Sequence, residues 1–483
     1  MEALLTGLLA RVAFTAIASL LSWRVWRFTI RPRFYPQEPK ELPYWIPCKN
    51  RTTLEYFLPS REPFSMTIAG ETIYIATSAK DVNDVWSSSK TISINPIAEQ
   101  MHVAAGLSKE QANFLFQVHH EASYNVNKVK PVIPNQYFIE LHHQQLHPGP
   151  ELEELIKGSA VPSIIEHLNF PKGAHPAVIQ KEGKAIIIEA YYGPKMLEMF
   201  PNLSKDFTEW EHVAWKLLFS LPSFLSGDMV TVKQNLFGSL ATYLRLPRNE
   251  RPDEAPFVTR IEDMLREHGF DEDLIGTCLF FHFWAINGNV YKLAFWLTAH
   301  LSQDPELMQQ IREEVQPATK IGSIDDTFLS EKCPALSSLV DETLRLTVTS
   351  SLARQLLQTT VIGGKTLEKG RKIMLPIRGL HYDESIWGAS PDTLHPKRFL
   401  ENPKMAKNTS FRPWGGGHTL CPGRFLARRM VNVFVAELLS KYEIGVESNV
   451  FPRGDGARPA PGVIPWRKGD DVLLRLTPRG VRT

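Results

Sequence analysis

Apolar positions fall into a few runs whose periods differ. Ala3 to Trp26 (ALLTGLLARVAFTAIASLLSWRVW) is mostly apolar and close to the length that spans a bilayer. Arg11 interrupts the run, and Arg24, Arg27, Arg31 and Arg33 follow it, as positive residues do on a cytoplasmic side. This predicts a transmembrane anchor over residues 1–28. A cleaved signal peptide fits less well, because the run is long and no clear cleavage site follows it. The proline-rich stretch from Pro32 to Pro47 predicts a semi-rigid hinge, residues 29–47. Two β-prone runs around Ala69-Gly70-Glu71 predict a hairpin over 63–76.

From Ala79 to about Pro256 the signals are mainly helical, with loops at Pro131–Pro134, Pro148–Pro150 and Phe170–Pro176. Leu274 to Leu301 is strongly apolar, but His282, Asn287, Asn289 and Lys292 make it a helix buried in protein rather than a second span. Asn287-Gly288-Asn289 are poor helix formers and predict a bend in its middle. Leu336 to Leu346 reads as an amphipathic helix with Glu342 and Arg345 on one face. Gly363-Gly364 and Lys369-Gly370 predict turns between short strands, and the tail ends in a strand near Val472–Leu476.

Composition bounds what such a chain can do. Its 483 residues are 43% apolar and 22% charged, enough for a large core. A net charge of +2 argues against a nucleic-acid partner. Cys48, Cys278, Cys333 and Cys421 are scattered with no C-x-x-C pair, which points to neither a zinc site nor a disulfide framework. His142, His143 and His147 cluster locally, yet no Cys or acidic partner is placed beside them, so they read as packing or surface residues.

One cysteine differs from the others. Cys421 follows Phe411-Arg412-Pro413-Trp414-Gly415-Gly416-Gly417-His418-Thr419-Leu420, and Pro422-Gly423-Arg424-Phe425 follows it. Proline suits a first helical turn, so a thiol here is expected at the positive end of a helix dipole, which favours the thiolate. The glycines permit a tight loop whose amides approach the sulfur.

This stretch resembles the haem-binding loop of the cytochromes P450, whose usual form is F-x-x-G-x-R-x-C-x-G. Trp414 stands for the Phe, Gly417 for the first glycine, Cys421 for the iron ligand and Gly423 for the last glycine. Thr419 occupies the Arg position, with His418 beside it. The resemblance implies haem b (iron protoporphyrin IX) held by the Cys421 thiolate. It also implies a mainly α fold with a small β-rich subdomain, preceded here by the anchor helix, with residues 48–483 as the catalytic domain. Glu342 and Arg345 match the family's E-x-x-R pair, and Arg398 in His395-Pro396-Lys397-Arg398-Phe399 its third member. Such a trio is implied to form a buried structural network. Arg354 falls where several members place an arginine on a haem propionate, and His418 is a second candidate for that role.

The bend resembles the long helix that crosses the distal face of the haem, which makes Gly288 and Asn289 the candidate catalytic positions. Here the chain departs from the usual pattern: the acid–threonine pair of most members is Asn289-Val290. Asn is no acid and Val carries no hydroxyl. Trp284 to Asn289, with Ala294-Phe295-Trp296, looks like the sterol 7α-hydroxylase and prostacyclin synthase branch, and the loop looks like fungal members of it. The reading is a haem-thiolate monooxygenase that hydroxylates or otherwise oxidises an apolar small molecule in fungal terpenoid or steroid-like secondary metabolism. Its electrons are expected from NADPH–cytochrome P450 reductase, which docks on a basic face of Lys404, Lys407, Arg424, Arg428 and Arg429. Its expected place is the endoplasmic reticulum membrane, facing the cytosol. The alternative is a haem-thiolate isomerase or dehydratase that acts on an oxygenated substrate without dioxygen, as Val290 suggests.

Overall fold

The computed structural model describes residues 2–42, 61–68, 70–117, 133–169, 177–219, 221–320, 322–447 and 450–479. The segment Cys48–Thr52, most of the loop near Pro131 and the loop Phe170–Pro176 lie outside them. The chain divides into two compact units, one built from residues 1–94, 351–380 and 416–419, the other from the remainder.

The first unit begins with helix α1 (Glu2–Val25). The expected anchor is overturned here. Among the described residues no helix is long and apolar enough to cross a membrane. The reason lies in the run itself: Arg11 sits near its middle, Arg24 near its end, and Thr6, Thr15, Ser19 and Ser22 dilute it. A transmembrane helix, a membrane partner and placement in the endoplasmic reticulum membrane therefore lose their support. Residues Trp26–Ile30 and Arg31–Phe34 continue as helix where a hinge was expected.

The same unit holds a sheet. Strands β1 (Lys40–Glu41), β2 (Phe64–Ile68), β3 (Glu71–Ile75), β4 (Ile92–Ser93), β5 (Ser351–Leu356) and β6 (Lys372–Pro376) run in the order β1-β2-β3-β6-β5-β4. β2 and β3 form the expected hairpin, with Phe64 opposite Ile75, and Gly70 turns it at φ 84°, where only glycine is unstrained. Ile373 on β6 pairs with Arg354 on β5. Alternation puts Phe64, Ile73 and Ile75 on one buried face, with Leu42, Met66 and Met374 against them. Helix α2 (Ala79–Ser87) is capped by Ser78, whose hydroxyl accepts from the Asp81 amide.

The second unit is helical. Its main helices are α3 (Pro134–Leu146), α4 (Ala177–Tyr192), α5 (Leu203–Val213), α6 (Gly227–Leu244), α7 (Pro256–Glu267), α8 (Glu272–Asn287), α9 (Val290–Gln303), α10 (Pro334–Thr347) and α11 (Arg424–Lys441). β7 (Tyr442–Val446) and β8 (Leu474–Pro478) form an antiparallel pair. α8 and α6 pack closely because Gly276 lacks a side chain: a Cβ there would lie 3.1 Å from the Ala241 amide nitrogen.

At the start of α7 the Arg251 guanidinium, 4% exposed, donates to Glu254 and to both oxygens of Glu262. Burial pushes the Glu254 carboxyl up to about 7, against the lowering by Arg251. Its folded value lies above the ordinary 4.5, so the folded chain binds the extra proton between those two values. The stabilisation is complete at low pH and is lost as pH rises through about 7. Thermal midpoints of the wild type should therefore fall between pH 5 and 8 more steeply than those of Glu254→Gln. Parallel profiles for the two proteins would show that Glu254 does not titrate in this range.

Candidate active site

Cys421 sits at the entrance to α11. Its amide donates to the Trp414 carbonyl at 3.0 Å, which closes the loop. The backbone amides of Gly423 and Arg424 lower its pKa, as does the positive charge of the Arg424 guanidinium. Burial outweighs all three and holds the thiol above its ordinary value. Position at a helix start is thus not enough by itself to ionise this sulfur, contrary to the expectation from the dipole. Such a sulfur ionises when a metal cation meets it, because the metal's own charge reverses the balance. Cys278 and Cys333 are buried instead, their thiols pushed up to about 12 and about 11.

The bend falls where expected. α8 ends at Asn287, Gly288 and Asn289 are turn residues, and α9 starts at Val290. Gly288 is required sterically, since a Cβ would lie 2.9 Å from the Trp284 carbonyl oxygen. Asn289 has a different occupation from the expected one: its Oδ1 accepts from the Val463 amide at 2.9 Å. A Cβ on Gly462 would lie 2.1 Å from that oxygen. The tail is tied further by Trp296 Nε1 to the Ile464 carbonyl at 2.7 Å, and by the Ile464 amide to the Thr347 carbonyl at 2.8 Å. Between Ile275 and Ala294 the positions that are not buried are Phe281, Ala285, Ile286, Asn289 and Val290. Their spacing is one helical stripe. It is mostly apolar, and a flat apolar group can lie along it.

The trio Glu342, Arg345 and Arg398 is brought together. Arg345 grips Glu342 with two hydrogen bonds of 2.7 and 2.8 Å, and Arg398 Nε donates to the same carboxylate at 3.0 Å. Arg345 and Glu342 side chains are 0% exposed. Arg345 also donates to the carbonyls of His381 and Pro391 at 2.7 and 2.6 Å, and the His395 amide completes the carboxylate at 3.1 Å. His381, its pKa lowered by burial to about 3, stays neutral and accepts from the Arg412 amide at 2.9 Å.

In the other unit, Arg354 on β5 is 6% exposed. It donates to its neighbour's carbonyl, Ala353, at 2.8 Å and to Thr419 Oγ1 at 2.6 Å. No carboxylate pairs with it among the described residues, and burial lowers it to about 10. A buried guanidinium without a counter-charge suits an anion such as a propionate. Thr419, in the place of the usual loop arginine, is the residue that holds it. Gly416 and Gly417 lie over Trp86 of α2, where a Cβ on Gly416 would come within 2.4 Å of the indole. His418 is exposed and has no hydrogen bond among the described residues, so nothing sets it beside Arg354. Taken unit by unit, the residues suit parts of a haem: a sulfur and an apolar stripe in the second unit, and a buried unneutralised cation in the first.

The basic face is narrower than expected. Arg428 pairs with Asp341, and Arg429 with both Glu153 and Asp326. Arg424 donates to the Cys421 carbonyl at 2.8 Å and lies 4.2 Å over the Phe425 ring. Lys404 and Lys407 remain exposed and form no ion pair among the described residues. His142, half-buried, binds His282, which is buried, ring nitrogen to ring nitrogen at 2.8 Å, and desolvation lowers the pKa of both. His143 and His147 are similarly paired. Among the described residues no group of three His, Cys, Asp or Glu could hold a metal ion.

Comparison with known proteins gives the site its context. A cytochrome P450 family model matches residues 195–455. The cytochrome P450 monooxygenase poxD of Penicillium oxalicum is 24% identical over 85% of this chain and 88% of its own length. Prostacyclin synthase of Rattus norvegicus is 26% identical over 47% of this chain and 50% of its own. The solved structure of retinoic acid-bound cyanobacterial CYP120A1 superposes with a TM-score of 0.69 over 89% of this chain and 95% of that one, at 16% identity. That likeness carries the fold.

Removing the shared carboxylate should be the most damaging change in the second unit. Glu342→Ala leaves the buried Arg345 without its counter-charge, a loss of about 3–5 kcal/mol. Urea unfolding of the purified variant should show it. A midpoint within error of wild type would mean that the trio bears no load.

Proposed function

The chain belongs to the cytochrome P450 family, and we propose that it oxidises an apolar polycyclic small molecule of fungal terpenoid or steroid-like secondary metabolism. Cys421, in a loop closed by its amide on the Trp414 carbonyl and set just before α11, is the observation that carries this reading, because a cysteine thiolate on haem iron favours O–O cleavage. Haem b, when bound, supplies the activation of dioxygen with electrons delivered from NADPH by a flavoprotein reductase.

The protein's own residues do the rest, within a catalytic domain taken as residues 48–483. Cys421 holds the iron, with Trp414 and Gly417 shaping its loop. Arg354, steadied by Thr419, neutralises a propionate, and exposed His418 is a weaker candidate for that task. Phe281, Ala285, Ile286 and Val290 give the substrate an apolar wall and exclude water along the helix pair. Lys404 and Lys407 are the cations left for an acidic reductase. The likeness to two Penicillium cytochrome P450 monooxygenases supports a fungal monooxygenase.

Proton supply is the step where this chain departs from the family's usual acid–threonine pattern. Gly288 keeps the bend narrow, while Asn289 is engaged by Val463 and Val290 has no hydroxyl. Two sources remain: ordered water along the bend, or a hydroxyl of the substrate. The same observation favours one second reading, isomerisation or dehydration of an already oxygenated substrate, and prostacyclin synthases are among the relatives.

Labelled dioxygen separates the two. Host cells with and without the gene, grown under heavy oxygen, should differ by a metabolite that carries the label. A new metabolite without label would replace oxygen insertion by isomerisation, dehydration or desaturation. Under the oxygenase reading, Val290→Thr should raise product formed per NADPH consumed and lower peroxide release. Cys421→Ser should abolish the thiolate signature of the reduced carbon monoxide complex, and its persistence would remove Cys421 from the iron.

A further inference from the structure

A cleft of about 970 Å³ opens in the second unit between the helix Pro305–Val315, the end of α11 and the start of β7. Arg312, in the last turn of the first of these helices, lines it. Its Nε donates to the Leu439 carbonyl at 3.1 Å and its Nη2 to the Tyr442 carbonyl at 3.3 Å, which satisfies acceptors left open where α11 ends. The same Nη2 lies 3.2 Å from Glu443, and Arg479 Nη1 lies 2.8 Å from the other oxygen of that carboxylate. One carboxylate therefore stands between two guanidiniums.

That carboxylate serves neither cation well. The Arg312 nitrogen nearest to it donates instead to the Tyr442 carbonyl and the Met308 sulfur, and Arg479 Nη1 is buried with no hydrogen-bond partner among the described residues. The Glu443 side chain is 56% exposed, so it can turn into water at little cost. Burial lowers the Arg312 pKa; Glu443 opposes the shift, and the like charge of Arg479 adds to it. Elsewhere in the cleft Lys441 is neutralised by Glu437 at 2.5 Å. Lys320 is exposed with no ion pair among the described residues, and Glu313, which accepts from Gln309, offsets its charge. The excess positive charge thus sits at Arg312 and Arg479.

A dianion balances two guanidiniums where one carboxylate does not, and its several oxygens can accept from both. A phosphomonoester is close to that charge at neutral pH. The cleft is far larger than a phosphate, and Asn169, Gln309, Gln316 and Thr319 line it with amides and a hydroxyl that suit a hydroxylated body rather than an apolar one. We propose that this cleft binds a sugar phosphate, whose phosphate takes the place of the Glu443 carboxylate between Arg312 and Arg479. The site lies at the far end of α11 from Cys421, 18 residues of helix or about 27 Å away. It is therefore separate from the haem site and does not depend on which reaction that site performs.

The test titrates the haem-loaded enzyme with ribose 5-phosphate, inorganic phosphate and ribose by calorimetry, in phosphate-free buffer at fixed low salt, with haem absorbance followed in a parallel titration. Ribose 5-phosphate should bind at one site without shifting the haem absorbance. Ribose, without the charge, should bind at least about tenfold more weakly, and inorganic phosphate, without the hydroxylated body, about threefold or more weakly. Arg479→Gln should weaken ribose 5-phosphate about tenfold or more. Glu443→Gln removes the internal competitor and should tighten it about threefold, whereas an ion pair that only braces the fold would give no gain. Both side chains are partly exposed, so the variants keep the fold. The proposal fails if ribose 5-phosphate does not bind, if ribose or inorganic phosphate binds as tightly, or if Glu443→Gln leaves the affinity unchanged or lower.

Discussion

The second unit depends on one carboxylate. Glu342 is fully buried, and a lone charge there would cost several kcal/mol. Arg345, Arg398 and the His395 amide together saturate it. The surplus donors of Arg345 then reach the carbonyls of His381 and Pro391, so a residue from α10 fixes the path of a segment with little regular structure. His381 passes the constraint on to the Arg412 amide, nine residues before Cys421. A charge network in the core thereby sets where the thiol loop begins.

At the thiol, burial and hydrogen bonding oppose each other. Burial alone favours the neutral group, and the amides of Gly423 and Arg424 favour the anion without prevailing. With this balance the sulfur is no free thiolate nucleophile, whereas a metal cation beside it would reverse the outcome. Cys278 and Cys333 mark the contrast, since burial is the leading cause of their raised values and no amide donor is set against it.

What the sequence disclosed and what it hid divide along physical lines. Cys421, the bend at Gly288 and the Glu342–Arg345 pair were readable because each is encoded within a few residues, as a loop composition, a break in helix formers or an i, i+3 spacing. Arg354 with Thr419, Asn289 with Val463 and Lys292 with Glu211 were not, because the partners are 65, 174 and some eighty positions apart. Lys292 did announce itself as a polar residue in an apolar helix, but nothing local named Glu211. The N-terminal run misled for a different reason: its length suggested a span, while Arg11 and its hydroxyl residues lower the apolar density on which crossing depends. Arg428 and Arg429 misled as well, since a string of basic residues does not reveal the acids waiting for it on other helices.

The ties of the tail to the central helices carry a consequence for biosynthesis. Asn289, Trp296 and Thr347 find their partners at Val463 and Ile464, and Val463 leaves the ribosome 174 residues after Asn289. Until then the break between α8 and α9 lacks the contact that absorbs its asparagine. The helices can assemble as they emerge, but the bend reaches its final form only after that later segment has been made. A nascent chain stalled short of Val463 would hold α8 and α9 without the contact that completes the break between them.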